Sequence, residues 1–196
     1  MLYTQLHRSK YSRHILHSRE AALARAFSDA GHRLFLVGGI VRDLVMGSAV
    51  DVAAGDLDFT TDAIPAEVKR ILGPIAESVW AQGERFGTIA ATVGGRSVEI
   101  TTHRAEAYDP SSRKPDVVFS ARIEVDLSRR DFTINALAVE VTGLAEGGSG
   151  STAAEVIDPF GGLEDLRQRV LRTPRSPSES FSDDPLPMLR AARFVA

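Results

Sequence analysis

Paired glycines at the ends of short apolar runs are the feature that most limits how this sequence can fold. The apolar run 34–37 leads into Gly38-Gly39 and then into a helical pattern, which predicts a strand, a tight turn and a helix. Gly94-Gly95 joins two β-rich runs, 87–93 and 97–102, and predicts a β-hairpin. A chain with both signals needs a sheet that contains antiparallel neighbours as well as helical crossovers.

The rest of the sequence continues this alternation. Residues 56–60 read as a second strand, and Pro65 opens a helix with Asp62 as its expected N-cap. Residues 104–120 are polar and predict a long loop, and residues 173–182 are a Pro/Ser-rich segment before a final helix. We therefore predict an α/β (α+β) fold, a mixed β-sheet flanked by helices.

Composition excludes several classes of protein. The chain has 196 residues, a formal net charge of -3 and no cysteine, which rules out a disulfide scaffold, thiolate zinc sites and a cysteine nucleophile. No apolar run approaches the ~20 residues of a membrane span, so we expect no membrane association. The near-neutral charge argues against nucleic-acid binding by bulk charge, so any such contact must be local. A cytoplasmic location is expected.

The sharpest chemical signal is the pair Asp56 and Asp58 on the predicted second strand. Alternate residues of a strand share one face, with Cα atoms about 7 Å apart, so both carboxylates project together while Leu57 enters the core. Such a pair can hold two Mg²⁺ ions for in-line phosphoryl displacement. An Asp-x-Asp on an edge strand is more often a solvated face.

Gly38 and Gly39 support the phosphate interpretation, because glycines between a strand and a helix let backbone amides approach a triphosphate. Arg42 follows on the first turn of the predicted helix. A dinucleotide-binding fold is the competing interpretation, and we reject it because residues 38–43 lack the full G-x-G-x-x-G pattern.

Two further sets of polar residues are candidates. If residues 129–135 are helical, Asp131 and Asn135 share one face, and Arg130 is available to phosphate oxygens. A salt-bridged helix N-terminus is the ordinary alternative. Glu99 lies between apolar neighbours on a predicted strand and is either a solvent-facing acid or a third metal-facing carboxylate. Four arginines near the end of the chain are interpreted as solvent-exposed rather than as phosphate ligands: Arg167, Arg169, Arg172 and Arg175.

In this order the motifs resemble the class II nucleotidyltransferase family, which contains tRNA CCA-adding enzymes and poly(A) polymerases. The resemblance runs from about Leu34 to the end of the chain. Five blocks carry it: LVGGIVRD at 36–43, GDLDFTT at 55–61, VEITTHR at 98–104, DLSRRDFTINA at 126–136 and DPFGGLEDL at 158–166. His103 stands where the family pattern leads us to expect Phe, and we interpret it as a packing variant.

The resemblance implies a nucleotidyltransferase (polymerase-β-like) head that transfers CMP and AMP from CTP and ATP to the tRNA 3′ end by two-metal phosphoryl transfer with Mg²⁺. Poly(A) addition is the alternative within the family. The resemblance assigns the metals to Asp56 and Asp58, with Glu99 as a third acid. It assigns the nucleotide to Gly38, Gly39, Arg42, Arg130, Asp131, Asn135, Asp184 and Arg190.

One departure concerns the base-reading helix of the family, whose pattern is acid-Asp-x-x-Arg-x-x-Arg. Asp184 and Arg190 match it, but Pro187 replaces the first arginine. In the family that Asp and Arg together form hydrogen bonds to the incoming base. The resemblance therefore implies that selection of CTP and ATP is weakened or lost in this chain.

The resemblance also divides the chain. It implies a catalytic head (34–172) and a linker with the start of a helical neck (173–196), and apolar residues at helical spacing before Gly31 predict an N-terminal helical segment (1–33). In the family a helical body and tail hold the tRNA acceptor arm, so we expect weak tRNA binding from these residues alone. A nucleotide-binding head that is inactive without its body domain is the second hypothesis.

Overall fold

The computed structural model describes residues 18–47, 57–107, 116–146, 155–183 and 186–195. The helices are α1 (Ser18–Asp29), α2 (Gly39–Val45), α3 (Pro65–Leu72), α4 (Ile123–Leu127), α5 (Thr142–Glu146), α6 (Gly162–Gln168), α7 (Pro177–Asp183) and α8 (Leu186–Val195). The strands are β1 (Leu34–Val37), β2 (Leu57–Thr61), β3 (Ser78–Trp80), β4 (Thr88–Val93), β5 (Arg96–Thr102), β6 (Arg104–Ala107), β7 (Asp116–Phe119), β8 (Ala138–Glu140) and β9 (Val156–Ile157). Short 3₁₀ turns lie at Glu84–Phe86 and Thr133–Asn135.

Seven strands form one mixed sheet in the order β3-β4-β5-β2-β1-β8-β9, and β6 and β7 form a separate two-stranded hairpin. Within the large sheet, β2 and β5 pair in parallel, and the other neighbouring strands pair antiparallel. The predicted mixed sheet with flanking helices is confirmed. The glycines mark its turns as expected, because Gly38 (φ +83°) ends β1, and Gly94 (φ +60°) and Gly95 (φ +76°) join β4 to β5.

The main hydrophobic core lies on one face of the sheet. Alternate residues of β4 and β5, such as Ile89 and Ile100, are fully buried against α1 and α3, which contribute Phe27 and Leu72. A second, smaller core covers the opposite face only over β1 and β8. Its buried members are Phe35, Val37, Ile123, Leu127, Ala136 and Ala138. Asp58, Ser97 and Glu99 on that opposite face are exposed beside the second core, whereas Thr60 is buried.

Asp62 does not cap α3, contrary to the prediction. The N-cap is Ile64, with no side-chain cap hydrogen bond, and Pro65 begins the helix. Asp62 Oδ1 instead accepts a hydrogen bond from the backbone N–H of Arg33 at 3.0 Å and lies 3.1 Å from His32 Nδ1. Its carboxylate therefore ties the end of β2 to the start of β1 rather than to the helix.

Three other segments differ from the sequence predictions. The expected long loop 104–120 contains β6 and β7, and its residues 108–115 lie outside the described part of the chain. Residues 129–135, considered above as a helix, do not form one, because α4 ends at Leu127 and only the 3₁₀ turn Thr133–Asn135 follows. The Pro/Ser-rich segment contains α7, because Ser176 and Glu179 form a capping box in which Ser176 N–H donates to Glu179 Oε2 at 3.1 Å.

Across the described ranges, we find no helix with the length and apolar character needed to cross a membrane. Most of the predicted N-terminal segment, residues 1–17, lies outside those ranges, as do Asp56 and Asp184.

Candidate active site

The site is built around Gly38, at the junction of β1 and α2. A Cβ at this position would lie 3.1 Å from Arg130 Nη1 and 3.9 Å from Asp58 Oδ2. The positive φ of Gly38 already disfavours any other residue, and the close approach of the guanidinium leaves no space for a side chain. Glycine is therefore required here for two reasons, and a cation and a carboxylate converge on its buried backbone at the cavity wall.

Asp58 and Glu99 stand side by side on β2 and β5. The two residues are register partners in the parallel pair, so their side chains share one face of the sheet, on strands about 4.8 Å apart. Both are exposed, whereas Leu57, Val98 and Ile100 point to the buried face. The predicted alternation at both strands is confirmed, and the two carboxylates form a paired set of oxygen donors.

A hydrogen-bonded chain connects three separate elements next to this pair. Arg42 Nη1 on α2 donates to Asn135 Oδ1 at 2.8 Å, and Asn135 Nδ2 donates to Asp131 Oδ1 at 3.0 Å. Asp131 Oδ2 lies 3.3 Å from Arg190 Nη1 on α8. Asp131 Oδ1 also accepts the backbone N–H of Phe132 at 2.8 Å. The chain fixes the 3₁₀ turn between the two helices.

Two aromatic rings support the same network. The Arg42 guanidinium lies over the ring of Phe194 at 5.2 Å, and Phe194 meets Phe132 edge-on at 5.7 Å. Arg42 additionally pairs with Asp43 at 2.7 Å. The Arg42 side chain is only 18% exposed, so its orientation is held on several sides.

Arg130 is held by the buried Asp126, whose Oδ2 lies 3.8 Å from Arg130 Nη2. Asp126 Oδ1 accepts the backbone N–H of Arg104 at 3.3 Å. The carboxylate thus links α4 to the start of the β6–β7 hairpin and leaves the Arg130 Nη1 atom directed at Gly38.

A cavity of about 300 Å³ opens between these elements. Its lining combines predicted site residues with others that the sequence did not single out as nucleotide ligands: Gly38, Gly39, Asp58, Arg129, Arg130, Asp131, Asn135, Arg175, Ser180, Pro187 and Arg190. A second opening beside it is lined by Arg42, Asp131, Asn135, Arg190, Arg193 and Phe194. A cavity of this size and polarity suits a charged ligand such as a nucleotide.

The structure brings together most of the predicted nucleotide-binding residues. Asp58 lines the cavity. Seven predicted nucleotide-binding residues line either the same cavity or the opening beside it: Gly38, Gly39, Arg42, Arg130, Asp131, Asn135 and Arg190. Glu99 is adjacent through its pairing with Asp58. Within the described ranges no three His, Asp or Glu side chains form a metal-ligating group, and Asp56, the third carboxylate of the prediction, lies outside those ranges.

Arg175 differs from its predicted exposure. Arg167, Arg169 and Arg172 are exposed, as predicted, but Arg175 is half-buried and lines the cavity. Arg167 pairs with Glu164, and Arg172 lies 3.1 Å from Asp165 Oδ2. Arg175 differs from the other three arginines in sequence because a capping box follows it directly. The box begins α7, and Ser180 of that helix lines the cavity together with Arg175.

His103 is a packing residue, as predicted. Its side chain is buried, its ring lies 5.5 Å from that of Phe35, and its Nδ1 is 2.8 Å from Thr60 Oγ1. Since the Thr60 hydroxyl donates to the Thr101 carbonyl at 3.0 Å, the hydrogen of this contact belongs to His103 Nδ1. Burial lowers the pKa of His103 below its ordinary value, and the charge of Asp126 opposes that shift.

The chain is similar to known proteins over most of its length. The family model described as the poly A polymerase head domain matches residues 34–172. A CCA-adding enzyme of Lactobacillus helveticus is 39% identical over 173 residues, 88% of this chain and 39% of that protein. A CCA-adding enzyme of Bacillus subtilis is 38% identical over 173 residues, again 88% and 39%. The chain therefore spans about two fifths of the length of these relatives.

Solved structures show the same relationship. The CCA-adding enzyme of Bacillus stearothermophilus in complex with CTP superposes with a TM-score of 0.71 at 32% identity, over 90% of this chain and 38% of that one. The apo form II of a CCA-adding enzyme gives a TM-score of 0.69 at 31% identity, over 88% and 38%. The mixed sheet with its flanking helices is the nucleotidyltransferase head fold of these enzymes. On its fold, its matched residues and these relatives, the chain belongs to the poly A polymerase head domain family.

Proposed function

We propose that this chain is the catalytic head of a tRNA nucleotidyltransferase that transfers CMP and AMP from CTP and ATP to the tRNA 3′ end. The observation that carries the proposal is the convergence of Arg130, Asp58 and Gly38 on the lining of one cavity. A guanidinium and a helix N-terminus bind phosphate, and a neighbouring carboxylate pair binds a divalent cation. The reaction is attack of the 3′ hydroxyl on the α-phosphorus with release of pyrophosphate.

The triphosphate is assigned to Gly38, Gly39, Arg42 and Arg130. Gly39 provides the first amide of α2, whereas the N–H of Gly38 donates to the Leu137 carbonyl at 3.3 Å, and the Arg130 guanidinium lies beside Gly38. Arg130, Asp131 and Asn135 are proposed to orient the ribose and phosphates, and Asp131 is held in place by Asn135 and Arg190. Little covalent chemistry is required of the protein, so positioning and charge account for the catalysis.

Asp56 and Asp58 are proposed to hold Mg²⁺, with Glu99 as a third acid. The carboxylate oxygens of Asp58 and Glu99 on adjacent strands fit a hard cation; both residues are exposed, and Asp58 lines the cavity. When bound, such ions polarise the phosphoryl oxygens and lower the pKa of a coordinated hydroxyl.

Pro187 is proposed to weaken the selection of the incoming base. It is buried in the cavity wall, next to Arg190, and proline offers neither a side-chain donor nor a backbone N–H. Arg190 is already engaged with Asp131. Together with Asp184, Arg190 remains assigned to the nucleotide, but the guanidinium expected at position 187 is missing from this wall.

The proposal includes the division of the chain into an N-terminal segment (1–33), a head (34–172) and a linker with the start of a neck (173–196). It also includes a cytoplasmic location, which agrees with a sequence that has no cysteine. The tRNA 3′ end is the proposed acceptor, held weakly by this chain alone.

A transfer assay tests the proposal. The 196-residue chain is incubated with labelled CTP or ATP, Mg²⁺ and a tRNA transcript that lacks its 3′ CCA, and the product lengths are resolved. Transfer that disappears in Asp56→Ala and Asp58→Ala but persists in Glu155→Gln, an exposed acid away from the site, supports the head of a CCA-adding enzyme. A homopolymer of A indicates poly(A) addition. CTP binding without transfer supports the inactive-head hypothesis, and absence of both contradicts the proposal.

A further inference from the structure

The face of the sheet that carries Asp58 is covered by the second core only over β1 and β8. On β5 the same face presents Ser97 and Glu99, both exposed, and on β3 it ends in Trp80, which is 46% exposed. Trp80 is therefore an exposed aromatic ring on a half-face with exposed polar residues.

Trp80 lies in the same row of the sheet as the carboxylate pair. It is the register partner of Ala90, Ala90 is the partner of Glu99, and Glu99 is the partner of Asp58. Directly opposed residues share a face, so these side chains project to the same side. Three strand spacings separate the Cα atoms of Trp80 and Asp58 by about 14 Å. The residue between the ring and the acids in this row is Ala90, which has a small side chain.

Two further aromatic side chains lie near the Thr88 end of β4. Phe86 is 48% exposed and Phe119 is 41% exposed, and a Cβ on Gly87 would meet the Phe119 ring at 3.0 Å. Arginines accompany them, since Arg85 lies over the Phe86 ring at 4.5 Å and Arg104 Nη1 donates to the Phe86 carbonyl at 2.7 Å. Aromatic rings mixed with guanidinium groups are typical of surfaces that bind single-stranded nucleic acid.

We propose that this half-face binds the unpaired 3′-terminal nucleotides of the RNA acceptor, with one base stacked on Trp80. The inference rests on the proposed function, because that function places an RNA 3′ hydroxyl at the carboxylates. A span of about 14 Å is bridged by a few unpaired nucleotides, and their unstacked bases need an aromatic partner. Stacking is tolerant of sequence, because every base has a π-face.

The chemistry of the face favours RNA over a second protein surface. Its small and polar residues, Ser78, Thr88, Ala90, Thr92, Ser97 and Thr101, are half-buried or exposed and offer little apolar area to a protein partner. Arg85 and Arg104 add positive charge beside them for the RNA backbone.

Intrinsic fluorescence tests the proposal directly, because Trp80 is the single tryptophan of the chain. A single-stranded RNA of eight nucleotides ending in C-C is titrated into the full 196-residue chain, and a labelled copy of the RNA gives the dissociation constant by anisotropy. We expect saturable quenching. Trp80→Ala should weaken RNA binding about 5- to 100-fold, and Trp80→Phe should restore most of it.

Val79→Ala is the matched control. Val79 is the neighbour of Trp80 and is 38% exposed, but it pairs with Ala91 and so points to the other face of the sheet. The RNA affinity of the Val79→Ala variant should stay within twofold of that of the unsubstituted chain. CTP binding measured by calorimetry should be the same in all three variants, which shows that each retains its fold.

Three results would overturn the proposal. Trp80→Ala could bind RNA as tightly as the unsubstituted chain, the RNA could bind without quenching, or the fluorescence could change with protein concentration alone, which would identify a second copy as the occupant. Loss of nucleotide transfer or of CTP binding contradicts the proposed function instead and leaves the RNA titration intact. The two failures are therefore distinguishable.

Discussion

Arg42 and Asn135, which are 93 residues apart in the sequence, are joined by a hydrogen bond of 2.8 Å from Nη1 to Oδ1. The bond connects the first turns of α2, which follow Gly38-Gly39, to the 3₁₀ turn that carries Asn135. Because Asn135 also donates to Asp131, the amide side chain sets the positions of both a cation and a carboxylate. Asn135 therefore couples Arg42, assigned to the triphosphate, to Asp131, assigned to the ribose.

Asn135→Ala should raise the KM for CTP about tenfold. It removes the acceptor of the largely buried Arg42 guanidinium and a donor to Asp131, and hydrogen bonds to charged groups contribute about 1.5–3 kcal/mol. Steady-state transfer kinetics measure the change. Asn135→Asp is the informative control, because it keeps an acceptor for Arg42 but places a like charge beside Asp131. A KM unchanged in both variants would show that the hydrogen-bonded chain does not position the nucleotide.

Pro187→Arg should raise the preference for CTP and ATP over UTP and GTP at least about tenfold. The substitution adds a guanidinium hydrogen-bond donor to the cavity wall, where the proline side chain offers no donor. Pro187 is the second residue of α8, so the helix loses no internal hydrogen bond on substitution. Incorporation of all four nucleotides measures the ratio. Pro187→Leu keeps the wall apolar and should leave selectivity as it is. Equal selectivity in the Arg variant and the unsubstituted chain would contradict the role assigned to position 187.

The parts of the fold that contiguous signals encode were predictable from the sequence. The unit of β1, Gly38-Gly39 and α2 follows from an apolar run, a tight turn and a helical period that are adjacent in the chain. The hairpin of β4 and β5 follows from its two glycines, and the outward orientation of Glu99 follows from alternation. The proximity of Asp131 and Asn135 was also predicted, although a 3₁₀ turn rather than an α-helix produces it.

The remaining features depend on contacts between distant segments or on weak local signals. No local pattern pairs Arg42 with Asn135 or directs Asp62 to Arg33 rather than to α3. The capping box of Ser176 and Glu179 was present in the sequence, but prolines and serines obscured the short helix α7 that it starts. The row that aligns Trp80 with Asp58 can be recognised only when the register of four strands is known.

His103→Phe should reduce the loss of stability that the chain undergoes on mild acidification. Burial holds the pKa of His103 below its ordinary value of 6.5, so the unfolded chain binds more protons as the pH falls through that value, and the free energy of unfolding decreases. Phenylalanine removes this titration, and the Thr60 hydroxyl keeps its bond to the Thr101 carbonyl.

Urea unfolding of both chains at pH 7.5 and pH 5.5 measures the effect of His103→Phe. The difference in free energy between the two pH values should be smaller in the variant. Glu140, whose pKa is lowered by its hydrogen bonds from Arg33, loses its contribution only at more acidic pH and does not interfere. An identical pH dependence in both chains would show that another group causes the acid sensitivity.

Gly162→Ala should destabilise the fold by about 3 kcal/mol, the upper range for overpacking. A Cβ at Gly162 would lie 2.1 Å from the carbonyl oxygen of Thr133, and the backbone of the 3₁₀ turn cannot move away without displacing Asn135. The matched control is Gly143→Ala in α5, where a Cβ would meet no atom within 4 Å and alanine favours the helix. Thermal unfolding should show a large decrease in Tm for the first variant and none for the second. Equal Tm values would mean that α6 does not pack closely against this turn.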